Sequence, residues 1–318
     1  MTIVNAQNIQ DAHDAKRVNE KALWVGGAVT GKGPVLQDQV WIDISQCPEM
    51  LNCDVQEKGA YLGAALSLAT LEHHVALKEK FPALNHAIGH IANPQTRARA
   101  TLSGALCQEV RCPYFKHADY QCAKKGGEGC FAKGDEGFPF ALLNNQRCAG
   151  LHASTLGAAL LALNARLTVQ NRQGAQVVEK KLDMDTFFKM PSNALADNQL
   201  VPGDLITQIH LQEQGNTQRY FRLAARSQAD WAEIEVVLNA HVVERRIEWI
   251  RLAVGALARQ PIRLLALESF LKGRGVADAQ KVKSWEHTLP TFAPLKGQDY
   301  RIPMLKNSLT SVLQEAFS

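Results

Sequence analysis

The sequence predicts a two-domain chain of mixed helix and strand, on three observations. At 318 residues it is longer than one hydrophobic core usually organises. Its 46% apolar and 21% charged residues are those of an ordinary globular protein. Its apolar periodicity switches repeatedly between strand-like and helix-like, with no internal repeat and no low-complexity tract.

Taken in order, KALWVGGAV (21–29) reads as a short strand entering a Gly-Gly turn, and VWIDISQCPEM (40–50) opens with another strand. AYLGAALSLATLEHHVAL (60–77) begins as a strand and continues as a helix, with Thr70 as N-cap and Leu71, Val75 and Ala76 on one face. HAIGHIANPQTRARATLSGAL (86–106) reads as a helix, an Asn-Pro break and a glycine-containing turn. STLGAALLALNA (154–165) is a buried helix, and LTVQNRQGAQVVEK (167–180) a hairpin around Gly174. DTFFKM and LVPGDLITQIHL (200–211) supply a short helix and a strand. Residues 219–243 alternate as two strands, and NSLTSVLQEAF forms a C-terminal helix. The polar stretch EQGNTQ (213–218) marks the change of domain, dividing the chain into 1–213 and 214–318.

The net charge of +4 and pI near 8.6 are too mild and unclustered for a nucleic-acid footprint. No window approaches a membrane span. MTIVNAQNIQDAHDAKRVNEK lacks the basic-then-apolar order of a secretory signal. The default expectation is a cytoplasmic protein; export in company with a signal-bearing partner is the alternative.

Seven cysteines is an odd count, against a complete disulfide framework. Five of them, at 107, 112, 122, 130 and 148, cluster in a loop spanning about 107–150. Cys112, Cys122, Cys130 and Cys148 follow the spacing C-x9-C-x7-C-x17-C. Thiolates suit zinc or an iron–sulfur cluster, but structural zinc usually takes close C-x2-4-C pairs. Four separated ligands suit a larger group, so spacing ranks a cluster first, zinc second and no metal third. The loop's glycines (126, 127, 129, 134, 137) are expected to let backbone pass close to sulfur. Lys116, Lys124, Lys125, Lys133, Arg111 and Arg147 are expected to surround the ligands and favour thiolate.

NPQTRARATLSGALCQEVRCPYFK (93–116) resembles a signature stretch, "sPQiRnmATvGGNl", of the FAD-binding subunits of molybdenum hydroxylases. That family includes xanthine dehydrogenase, carbon monoxide dehydrogenase and bacterial aldehyde oxidoreductases. Arg111-Cys112-Pro113-Tyr114-Phe115, Cys122-Ala123-Lys124, Gly127-Glu128-Gly129-Cys130 and Cys148 are similar to the branch with an inserted [4Fe-4S] loop. Collinear likenesses at 40–50, 61–74, 202–211, 220–240 and 251–273 extend the resemblance over nearly the whole chain.

The resemblance implies an α+β fold: a two-part flavin domain of the vanillyl-alcohol-oxidase type, then a C-terminal α+β flavoprotein domain. It implies an electron-transfer subunit that does not itself hydroxylate substrate. Its partners would be a large molybdopterin subunit and a small [2Fe-2S] subunit. Its cofactors would be a [4Fe-4S] cluster on Cys112, Cys122, Cys130 and Cys148, and FAD. The flavin contacts would come from Gly26, Gly27 and Ala28, from Thr101, Ser103 and Gly104, and from Ser154 and Thr155.

All three flavin loops depart from the family pattern of Gly-Gly-Thr, Thr-x-Gly-Gly-Asn and Ser-Asp-Leu. Ala28 and Ala105 lack polar groups, Ser103 adds a Cβ, and Thr155 removes a carboxylate. Two readings therefore stand: FAD held through backbone N–H groups of Gly26, Gly27 and Gly104, or a vestigial flavin site whose cluster alone relays electrons or staples the loop. The rival of another class is a zinc-stapled binding protein.

Other residues receive bland readings. His73-His74 and the pair His86 and His90 are read as surface or capping groups, and Cys47, Cys53 and Cys107 as non-ligands. Arg245, Arg246 and Arg259 are read as solvated charges or partner contacts, and Trp231 and Trp249 as core or interface.

Overall fold

The computed structural model describes residues 2–27, 39–190, 195–212, 214–227 and 229–318. Its strands form three sheets. The first is parallel, with β1 (Thr2–Asn5) and β2 (Leu23–Val25) on either side of β3 (Val40–Asp43). Central β3 buries Trp41 and Ile42. The Ile9–Val18 helix, capped by Asn8 accepting from the Asp11 N–H at 2.8 Å, lies between β1 and β2 in the chain.

The second sheet is antiparallel, in the order β4 (Cys53–Gln56), β5 (Gly59–Gly63), β8 (Leu205–Leu211), β6 (Arg166–Gln173), β7 (Gln176–Asp183). The β6–β7 hairpin turns at Gly174, whose φ of 62° suits glycine. The third sheet is a meander of β9 (Thr217–Ala224), β10 (Ala232–Val243), β11 (Arg246–Gly255) and β12 (Ile262–Arg263). The β10–β11 hairpin closes through Glu244 and Arg245, both at positive φ (47° and 58°), with a bulge at His241/Val242.

Two segments differ from their sequence reading. The cap of the helix after β5 is Ser67, not Thr70: Ser67 Oγ accepts from the Thr70 N–H at 3.0 Å. That helix stops at Glu72, and His74 caps a second one, Val75–Lys80, through Nδ1. The expected turn at 101–106 is instead a helix, Leu102–Leu106, capped by Thr101. Its first N–H groups are taken by the carbonyls of Leu66 and Ala64, so Gly104 is carried inside it.

Apolar side chains form three clusters. One lies under the first two sheets with the Thr155–Ala162 helix; one lies between the third sheet and the Arg301–Phe317 helix. A small third cluster belongs to the cysteine loop and holds Val110, Phe115, Phe140 and Ala149 with three of the cysteines. Helix and strand are thus mixed throughout, as an α+β chain requires.

Arg301 joins these layers. Fully buried, it donates to the carbonyls of Phe140 (2.5 Å), Glu233 (2.8 Å) and Ala256, with the Glu233 carboxylate 3.7 Å away. Each carbonyl left dry and unpaired costs about 1–3 kcal/mol. Arg301→Met is therefore expected to destabilise the chain by about 3 kcal/mol or more. The surface change Lys306→Met, which removes the Glu286 pair, should cost under about 1 kcal/mol. Urea-unfolding midpoints of the two variants test the contrast.

Candidate functional site

A cleft of about 430 Å³ opens where the first sheet, the Leu102–Leu106 helix and the cysteine loop meet. Gly26, Thr101, Ser103 and Gly104 line it, so the first and second predicted flavin loops do come together. Their approach is close enough to demand glycine. A Cβ on Gly26 would fall 2.3 Å from Thr101 Oγ1, and one on Gly27 would fall 1.8 Å from the Arg99 carbonyl. Gly27 also has φ +70°.

The backbone donors are only partly committed. The N–H groups of Gly26 and Gly27 make no hydrogen bond among the described residues, while Gly104 N–H donates to Thr101 Oγ1 at 3.3 Å. Ser103 turns inward, its hydroxyl donating to the Ala64 carbonyl at 2.9 Å. Ala28 lies outside the described residues. The N–H groups of Gly26, in the cleft, and of the adjacent Gly27 thus suit the central pyrophosphate of a dinucleotide, with less help from the second loop, whose Gly104 N–H is already committed.

The third predicted loop behaves differently. Ser154 is buried and caps the following helix, accepting from the Gly157 N–H at 3.1 Å; it does not line the cleft. Thr155 lines a second cavity of about 110 Å³ that shares Ala105, Gln108, Arg111, Ala153 and Trp231 with the cleft. Its hydroxyl donates to Glu235 at 2.5 Å, and the Tyr220 hydroxyl to the same oxygen at 2.9 Å. Burial holds the Glu235 carboxyl above the usual carboxylate range, against the pull of Thr155, Arg222 and Tyr220. Burial likewise pushes His152, in the same cavity, down to about 3, so its imidazole is neutral.

Sequence reading missed Glu235, although it stands buried between Ile234 and Val236 on β10. Trp231, read as core or interface, is not core: it is 48% exposed at the cleft rim with the Arg111 guanidinium 5.5 Å from its ring. His90, read as a surface or capping group, caps its helix and also lines the second cavity.

Cys112, Cys122, Cys130 and Cys148 all line one small cavity of about 10 Å³, with Lys124 and Arg147. Four separated stretches of chain are thereby brought to one place. Among the described residues no three His, Cys, Asp or Glu side chains are close enough to hold one metal ion. Four sulfurs at about 2.3 Å from one zinc would stand some 3.8 Å apart, and the cavity does not present that closed set. The thiols are dry: burial pushes Cys148 up to about 11 and raises Cys112. Backbone groups of Phe115 and Tyr114 at Cys112, and of Gly150 at Cys148, act the other way and favour thiolate. Cys47 is buried in the main core, Cys53 lies on β4, and Cys107 lines the large cleft.

Several loop expectations need correction. A Cβ on Gly126 or Gly134 would meet nothing within 4 Å, so no close approach there requires glycine. Of these loop glycines Gly127 is tight, an added Cβ falling against the Gln121 carbonyl and 3.3 Å from the Cys122 backbone; outside the set, one on Gly150 would lie 3.5 Å from Cys112 Cβ. Of the six basic residues, Lys124 and Arg147 line the cysteine cavity. Lys125 and Lys133 instead donate to the carbonyls of His117 and Gln146, and Lys116 and Arg111 face the large cleft. Arg259, read as solvated, is 3% exposed and 3.7 Å from Asp197.

Residues 1–211 match the family described as the FAD binding domain in molybdopterin dehydrogenase. Residues 219–316 match the CO dehydrogenase flavoprotein C-terminal domain. The chain belongs to this family. Among relatives, the glyceraldehyde dehydrogenase medium chain of Sulfolobus acidocaldarius is 23% identical over 279 residues, covering 86% of this chain and 82% of the relative. The nicotine 6-hydroxylase medium subunit of Paenarthrobacter nicotinovorans is 25% identical over 273 residues, covering 84% and 78%. The fold is that of solved CO dehydrogenase from Oligotropha carboxidovorans, at TM-score 0.73 and 16% identity over 99% of this chain and 97% of that one. Quinoline 2-oxidoreductase from Pseudomonas putida 86 gives 0.72 and 14%, over 99% and 96%. The chain is therefore a non-hydroxylating, FAD-binding-type subunit of an oxidoreductase complex, and no helix among the described residues is long and apolar enough to cross a membrane.

The neutral His152 gives the site a pH signature. Unfolded, it takes up a proton below its ordinary 6.5; folded, it does not until about 3. Stability should fall as pH drops through that window, by up to about 1.4 kcal/mol per unit from this residue. Unfolding free energies of His152→Leu between pH 7 and 4 should run flatter than wild type by that slope. Parallel curves would show that His152 does not titrate in this way.

Proposed function

We propose that this chain is the electron-transfer subunit of a molybdenum-containing hydroxylase. It carries a [4Fe-4S] cluster on Cys112, Cys122, Cys130 and Cys148 and FAD in the large cleft. A large molybdopterin subunit and a small [2Fe-2S] subunit supply the electrons, and an external acceptor removes them. The cluster and the flavin, when bound, supply one-electron and two-electron chemistry respectively.

The observation that carries the reading is Cys112. It lines both the cysteine cavity and the large cleft, so a centre held there adjoins whatever occupies the cleft. The chain's own residues do the rest. Gly26 and Gly27 offer uncommitted N–H donors to a pyrophosphate, and Lys124, held by Asp197, lines the cysteine cavity. Relatives acting on glyceraldehyde, nicotine and caffeine, by their names, support a subunit that does not itself choose the substrate. The complex is assigned to the cytoplasm by default, or to the periplasm if a signal-bearing partner carries it across. A zinc staple has no support from the family or from the sulfur arrangement.

Analysis of the anaerobically purified complex tests the assignment. Acid-labile sulfide and iron should exceed what the [2Fe-2S] partner accounts for, and acid should release flavin. Cys148→Ser should lose the excess iron, while Cys107→Ser keeps it. Full iron in Cys148→Ser with an empty Cys107→Ser would overturn the ligand set. Excess iron without flavin would favour the vestigial-site reading instead.

A further inference from the structure

Glu235 carries chemistry that neither the ligand set nor the flavin loops account for. It sits on β10 directly opposite Gly255 on β11, and is 3% exposed. Oε1 accepts both hydroxyl hydrogen bonds, from Thr155 and Tyr220. Oε2 takes none among the described residues. It lies where a Cβ on Gly255 would come within 2.5 Å, so glycine there makes room for the carboxylate. The second cavity, which Glu235 lines, adjoins the flavin cleft and is also lined by Arg111 and Arg222. The wall thus holds an acceptor oxygen together with two guanidinium groups, which can only donate.

That set matches one edge of one part of FAD. The pyrimidine edge of the flavin ring offers an imide N–H between two carbonyl oxygens, a donor between acceptors. We propose that Glu235 Oε2 receives the flavin imide N–H, standing in space for the carboxylate that Thr155 lacks. This rests on the reading that FAD occupies the cleft.

Glu235→Gln isolates the claim without dismantling the pocket. The amide oxygen must take over the Thr155 and Tyr220 hydroxyl bonds, so the NH₂ group faces the cavity. An acceptor becomes a donor aimed at a donor, while the fold keeps both internal bonds. The experiment titrates FAD and N3-methyl-FAD, which lacks the imide proton, into the flavin-depleted complex. Tryptophan quenching reports binding. Wild type should prefer FAD by about tenfold or more. Glu235→Gln should bind FAD about tenfold more weakly and lose that preference, since any crowding by the methyl group is common to both proteins. Gly255→Ala, which displaces the carboxylate without changing it, should lower the preference in the same direction. An undiminished preference in Glu235→Gln would overturn the proposal while leaving FAD binding intact. Failure of wild type to bind either flavin would remove both readings.

Discussion

Asp197 is where three distant segments are tied together. Its carboxylate, 6% exposed, lies 2.8 Å from Lys124 Nζ in the middle of the cysteine loop. It also accepts from the Val110 N–H at the start of that loop, and it faces Arg259 from the C-terminal half. Lys124 and Arg259 each reach a further carbonyl, those of Leu195 and Ala196. Three charges this dry are expensive to bury, and only their mutual pairing offsets that cost. Such a cluster confers position more than stability. It fixes the cysteine loop, whose own apolar cluster is too small to fold alone, against both halves of the chain. The placing of Cys112 between two cavities depends on it.

Much of the fold was legible because its signals are local. The Gly174 hairpin, the buried Thr155–Ala162 helix and the strand at 205–211 follow from periodicity and turn chemistry alone. Where reading failed, a long-range partner had intervened. The Leu102–Leu106 helix forms because Leu66 and Ala64 accept its first N–H groups, which nothing within residues 101–106 announces. Arg259 reads as a surface charge until its partner at 197 is known.

The candidate site divides in the same way. Cysteine spacing singled out four residues, and the fold brings all four to one cavity. The surrounding basic residues divide, Lys124 and Arg147 lining that cavity while Lys125 and Lys133 turn to backbone carbonyls, because composition says which residues are near in sequence and not which way they face. Glu235 was invisible for a different reason. A carboxylate among alternating polar and apolar residues looks like a solvated one until Thr155, Tyr220 and Gly255 are seen around it. Thr155 and Glu235, eighty residues apart in the chain, meet in one hydrogen bond.

The β10–β11 hairpin gives that arrangement a remote origin. Side chains on a strand alternate between faces, so slipping the pairing by one residue would set Ile234 opposite Gly255 and move Glu235 away from it. The pairing is set by a two-residue turn at Glu244 and Arg245, both held at positive φ without glycine, and by the bulge beside it. A solvent-exposed bend at the far end of the hairpin is thus the ruler that measures out the lining of a buried cavity. Shortening or lengthening that bend would re-index the whole ribbon and exchange an acid for a hydrocarbon at the cavity wall, with no residue of the wall itself altered.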